Sequence, residues 1–220
     1  MATYSKSQVL AAMEATRVVP VFYNGDVEIS KKVMKACYDG GIRLFEFTNR
    51  GVAAGVVFPH LVKFAKTLPG MILGVGSISF AGDARKFIRM GANFVVGPQY
   101  VPGVCRVCNC RRIAYMPGCG TVSEVGNAQR HGCDVCKVFP GDVLGPKFVK
   151  ALRAPMPWSK IMVTGGVKPE KENLEAWFAS GVTAVGMGSN LFPKAVIEAG
   201  EWDKITALCA DTLETIQNIK

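Results

Sequence analysis

Histidine is scarce in this 220-residue chain: there are two, His60 and His131. His60 lies within a helical pattern and His131 just before a glycine, and neither has a second histidine at ligand spacing, which excludes a histidine-built metal centre. Long apolar runs are also missing. The longest, Gly51 to Val62, is interrupted by Pro59 and His60 and falls short of the ~18 residues that a membrane span requires. The opening segment MATYSKSQVLAAMEATRVVP alternates polar and apolar residues without an uninterrupted apolar stretch before a cleavage site, so no secretory leader is expected. No linker, charge block or low-complexity segment divides the chain. The expectation is one soluble, cytoplasmic domain spanning residues 1–220, with no membrane association.

What is present is basic and cysteine-rich. Lys and Arg number 26 against 17 Asp and Glu, giving a net charge of +9 and a pI of 9.2. The basic residues are scattered through helical patterns and do not alternate with aromatics, so no nucleic-acid partner is expected; such a surface attracts small anions. Eight cysteines include C-x-x-C-x-C at 105–110 and C-x-x-C at 133–136. Those spacings raise the alternative of a zinc-stabilised interaction protein. Strand alternation, however, predicts that Cys133 and Cys136 face opposite sides, and the preferred reading is buried reduced thiols with no bound metal.

The apolar pattern is that of alternating strands and helices. At Gly41, Gly91, Gly132 and Gly181 a helical pattern stops at glycine and a β-branched or aromatic run follows. The intervals of 50, 41 and 49 positions each hold about two βα units of roughly 22 residues. Strands are predicted at 18–23, 43–49, 71–77, 93–98, 113–118, 134–140, 160–166 and 183–189. Helices are predicted at 26–40, 122–132 and 169–181, among others. Eight such units close most economically into a single-domain (β/α)8 TIM barrel, an α/β fold, with residues 5–17 as an extra helix beneath it. An open doubly wound sheet is the rival, but no GxGxxG follows the first strand, where the chain reads YNGD.

Two ionisable residues interrupt these strands. Lys137 sits inside DVCKVFP on the same face as Val135 and Phe139, and Glu46 sits inside RLFEFTNR with Leu44, Thr48 and Arg50, opposite Phe45 and Phe47. Burial of an ammonium is costly unless it is paired or gives up its proton. A structural ion pair is one reading. The other is an amine held in low dielectric as a nucleophile toward carbonyl carbon, with a carboxylate moving protons beside it. The last two strands end in VTGGV and GMGSN, where Gly165, Gly166, Gly188 and Ser189 are candidate phosphate ligands at the loops that bind phosphate in barrels, helped by short helix N-termini. Ser77, closing GVGS, either completes a plain turn or offers a hydroxyl to a carboxylate.

With these residues in place the sequence resembles the 2-keto-3-deoxy-6-phosphogluconate (KDPG) and 4-hydroxy-2-oxoglutarate (KHG) aldolase family over nearly its whole length. FEFTNR (45–50) is similar to the family's E-x-T-x-R strand, LGVGSI (73–78) to its G-x-G-T/S turn and MPGCGTVSEV (116–125) to its P-G-x-x-T-x-x-E segment. CKVFP (136–140) is similar to the Schiff-base K-x-F-P strand and VTGGV (163–167) to the T-G-G phosphate loop. The resemblance implies that Lys137 forms an imine with the 2-oxo carbon and Glu46 relays protons. It implies further that Arg50 and Ser77 hold the α-carboxylate, Pro98 and Phe139 shape the pocket, and Thr164, Gly165, Gly166, Gly188 and Ser189 hold a phosphate. No cofactor or metal is implied, pyruvate is a product, and relatives are usually homotrimers. Asn49, Gly51, Ser77 and Gly141 depart from the common family residues, which leaves the choice of 2-oxo acid open. An isomerase or decarboxylase using the same Lys and Glu is the alternative within the barrel class.

Overall fold

The computed structural model describes residues 2–219. Nine strands appear in chain order: β1 (Val18–Phe22), β2 (Leu44–Thr48), β3 (Ile72–Gly76), β4 (Phe94–Val96), β5 (Ala114–Met116), β6 (Gly118–Cys119), β7 (Val135–Val138), β8 (Lys160–Thr164) and β9 (Ala184–Met187). The helices are α1 (Lys6–Thr16), α2 (Val27–Asp39), α3 (Ala54–Ala65), α4 (Ala81–Met90), α5 (Pro102–Cys110), α6 (Val122–Arg130), α7 (Gly141–Arg153), α8 (Lys171–Ala179), α9 (Lys194–Glu198) and α10 (Trp202–Asn218). All pairing is parallel, in the order β5-β4-β3-β2-β1-β9-β8-β7-β6.

The two ends of that order, β5 and β6, are consecutive in the chain, and this nearly closes the barrel. The single strand expected at 113–118 is divided at Pro117, which has no N–H for the ladder. Its first part pairs with β4 and its second with β7, while the Pro117 carbonyl accepts a 2.8 Å hydrogen bond from the Lys137 N–H. The eight expected strands are therefore all present, one of them in two pieces. Several are shorter than expected; β4 stops at Val96, which leaves Pro98 exposed beyond it.

Alternation along the strands separates two cores. Phe45, Phe47, Cys136 and Val138 face the helices in the outer layer. Val19, Leu44, Ile72, Phe94, Met116, Val135 and Met162 fill the lumen together with Val9 and Met13 of α1. Helix α1 thus plugs the N-terminal end of the barrel, as expected for residues 5–17. Its start is fixed by a capping box in which the Ser5 hydroxyl accepts from Gln8 N–H and the Gln8 side chain returns to Ser5 N–H. Asn93 anchors the segment before it, accepting from the Thr3 and Tyr4 amides at 2.8 and 2.9 Å and donating to the Leu73 carbonyl at 3.1 Å. A cavity of about 310 Å³ at this end is lined by Thr3, Tyr4, Val62 and Asn93 among others, but the Asn93 amide is fully used. No helix of the described residues is long and apolar enough to cross a membrane.

Candidate active site

An apolar plug below forces polar lumen residues to the C-terminal mouth, where the strand register brings them together. Glu46 is 1% exposed and Lys137 5%. Glu46, Thr48, Lys137 and Thr164 are each in register with a glycine on one neighbouring strand: Glu46 with Gly74, Thr48 with Gly76, Lys137 with Gly118 and Thr164 with Gly186. The missing side chains make the room. A Cβ on Gly76 would overlap Glu46 Oε1, and one on Gly186 would overlap Thr164 Oγ1.

Glu46 and Lys137 form no ion pair within 4.0 Å, and Glu46 Oε2 has no hydrogen-bond partner in the protein. Burial lowers the Lys137 pKa; the Glu46 charge opposes that shift and the Arg50 charge adds to it. Burial likewise raises the Glu46 pKa, against the opposing pull of Lys137 and then Arg50. Both groups are moved toward their neutral forms, the direction desolvation dictates. Lys137 Nζ also lies 4.8 Å from the centre of the Phe139 ring, which walls its pocket.

Arg50 and Ser77, widely separated in sequence, meet at the rim: Arg50 Nε donates to Ser77 Oγ at 3.2 Å. Ser77 has φ of +59°, a left-handed conformation that costs free energy in a residue with a side chain and is characteristic of functional turns. On the opposite side of the mouth, Gly165 and Gly166 have successive φ values of +98° and +69°, a turn only glycine adopts without strain. Asn190 Nδ2 donates to the Val167 carbonyl at 2.8 Å and ties this loop to the one carrying Gly188 and Ser189. The dipole expected there is absent: α9 begins only at Lys194, and Gly188 and Ser189 sit in a turn whose carbonyls accept from Leu191 and Phe192 N–H. Pro98 is on the same rim, where a Cβ on Gly118 would overlap its carbonyl.

Among the described residues four buried side-chain polar atoms lack a partner, and three of them, on Glu46, Thr48 and Thr164, belong to this lumen. Native structures leave few such groups unpaired away from functional sites. Sequence reading placed Thr48 on the lumen face but gave it no role, and it overlooked Gly76 and Gly186, because the need for an absent side chain shows only once strands are in register.

The cysteines do not converge on a metal. Among the described residues no group of three or more His, Cys, Asp or Glu is placed to hold an ion. The expectation that Cys133 and Cys136 face opposite sides is not met. Both are in the outer layer, because Cys133 precedes β7 and strand alternation does not govern it. Cys133 Sγ instead lies 3.8 Å from Cys105 Sγ, and Cys136 Sγ bonds the Val125 carbonyl.

Comparison with known proteins places the chain in a family. The family model described as KDPG and KHG aldolase matches residues 9–208. The chain belongs to the KDPG/KHG aldolase family. It is 34% identical to a 2-dehydro-3-deoxy-phosphogluconate aldolase of Pseudoalteromonas atlantica over 192 residues, covering 87% of each chain. It is 30% identical to the KHG/KDPG aldolase of Escherichia coli K12, over 90% of this chain and 91% of the relative. The structure superposes with a TM-score of 0.84 on a KDPG aldolase of Legionella pneumophila holding pyruvate captured at low pH as a covalent carbinolamine intermediate. That match has 27% identity and covers 92% of this chain and 97% of the other. Membership of an aldolase family makes this enzyme a carbon–carbon lyase.

Proposed function

We propose that the protein is a class I aldolase that cleaves a 2-oxo-4-hydroxy acid to pyruvate and an aldehyde through an imine on Lys137. The observation that carries this reading is the buried Lys137 amine, its pKa lowered by desolvation, across a gap from the buried Glu46 carboxyl. Neutral Lys137 Nζ adds to the substrate C2, and loss of water gives the iminium. Glu46 takes the proton from the C4 hydroxyl; the C3–C4 electrons then flow into the iminium, leaving an enamine and freeing the aldehyde. Protonation at C3 and hydrolysis release pyruvate and regenerate the amine. The iminium is the electron sink, so the cleavage needs no Lewis acid. Arg50 and Ser77 hold the α-carboxylate, Phe139 and Pro98 bound the pocket, and Thr164, Gly165, Gly166, Gly188 and Ser189 receive the far end of the substrate.

Those last residues favour a phosphorylated substrate, 2-keto-3-deoxy-6-phosphogluconate, which gives glyceraldehyde 3-phosphate. The unphosphorylated 4-hydroxy-2-oxoglutarate, giving glyoxylate, uses the same chemistry. Turnover of both substrates with and without a chelator tests the proposal. The expected result is chelator-insensitive cleavage with the larger kcat/KM on the phosphorylated acid; chelator-sensitive cleavage, or none, contradicts it. We extend the reading to a cytoplasmic homotrimer, tested by a sedimentation mass three times that of the chain.

A further inference from the structure

Thr48 is the member of the lumen's polar set to which these steps assign no work. It is 1% exposed, and its Oγ1 has no partner in the protein. It follows Glu46 by two residues on the same face of β2, about 7 Å nearer the mouth, and Arg50 lies beyond it. Its neighbour in register is Gly76, and the room that glycine leaves is taken by the Glu46 carboxylate, which therefore reaches up to the level of Thr48. Valine would occupy the same volume without leaving a hydroxyl unpaired, and stability alone therefore gives no reason for threonine.

We propose that Thr48 is a further catalytic residue whose hydroxyl holds the oxygen on C2 of the substrate while the imine forms. The proposal rests on the aldolase reading above. When Lys137 Nζ adds to C2, the N–C bond forms and the carbonyl π electrons pass to oxygen. That oxygen takes up a proton to become the carbinolamine hydroxyl, and the nitrogen loses one. The C–O bond then breaks with its electron pair as Glu46 gives the oxygen a second proton, water departs, and the nitrogen lone pair closes the C=N bond. Through these steps the oxygen changes from an acceptor into a group that donates as well. A hydroxyl can donate to the first and accept from the second, whereas the Arg50 guanidinium can only donate and is engaged with Ser77. Beside the Glu46 carboxyl and one step below Arg50 on the same strand face, Thr48 offers an unpaired lumen hydroxyl for that oxygen.

The test compares the parent enzyme with Thr48→Val and Thr48→Ser, reading the rate at which borohydride traps pyruvate, the KM for pyruvate and the thermal midpoint. Thr48→Val is expected to slow trapping by about tenfold to a hundredfold, the effect of removing one well-placed hydrogen bond from a polar transition state. Its KM should change by less than about threefold and its midpoint should stay level or rise; Thr48→Ser should recover most of the rate. Trapping by Thr48→Val within about twofold of the parent would overturn the proposal and leave the aldolase reading intact. So would a lowered midpoint in both variants with rates that follow it, which marks a structural residue. A parent enzyme that traps no pyruvate would remove the aldolase reading and this inference with it.

Discussion

At the scale of single residues, burial lowers the Lys137 pKa and the neighbouring charges adjust it. The Arg50 cation penalises the ammonium and the Glu46 carboxylate favours it. The pH at which Lys137 becomes half-reactive toward pyruvate should therefore lie below the ordinary lysine value. It should rise in Arg50→Gln, where a penalty on the charged form is removed, and fall in Glu46→Gln, where a stabilising partner is lost. Borohydride trapping across a pH series measures all three midpoints; shifts in the reverse order would contradict the assignment. Arg50→Gln should also raise the KM for pyruvate by about tenfold to a hundredfold, the effect of losing a charged contact to the carboxylate. Glu46 and Lys137 were legible in the sequence because each stands alone in an apolar strand, where an ionisable residue has no structural reason to be. Thr48 was not, since threonine is at home in any strand and only its unpaired hydroxyl distinguishes it.

At the scale of elements, glycines opposite the polar residues define the cavity. Gly76 has an ordinary strand conformation, so Gly76→Ala should fold. Its Cβ would overlap the Glu46 carboxylate, which must then move. Turnover should fall by about a hundredfold or more, the usual worth of a positioned acid–base group, with the circular dichroism spectrum unchanged. Full activity in that variant would show that the position of Glu46 is not critical. The strands themselves were read from β-branched or aromatic runs that follow capping glycines, and their order follows from right-handed parallel crossovers. The break at Pro117 is signalled by the proline itself, but reading IAYM and the residues after it as one run passes over it. The missing dipole at Ser189 was hidden because the start of α9 carries no capping signal: Pro193 precedes it without a side-chain cap bond.

At the scale of the molecule, the barrel divides its two ends between stability and chemistry. Met13 and Val9 close the bottom with fully buried apolar contacts. Met13→Ala should cost about 2–5 kcal/mol of unfolding free energy, since a cavity remains among Leu44, Phe94 and their neighbours. Urea denaturation checks this, with kcat within about threefold of the parent because the truncation lies below the reacting groups. Three of the four unpaired polar atoms of the described residues gather at the other end, where stability is given up for reactivity. The chain's membership of the KDPG/KHG aldolase family fits this division, but the family does not decide which nitrogen reacts. Reduction with borohydride in the presence of pyruvate, followed by peptide mass mapping, decides it. The account predicts one reduced pyruvate adduct per chain, on the peptide containing Lys137 and absent in Lys137→Ala; an adduct on any other lysine, or none, would contradict it.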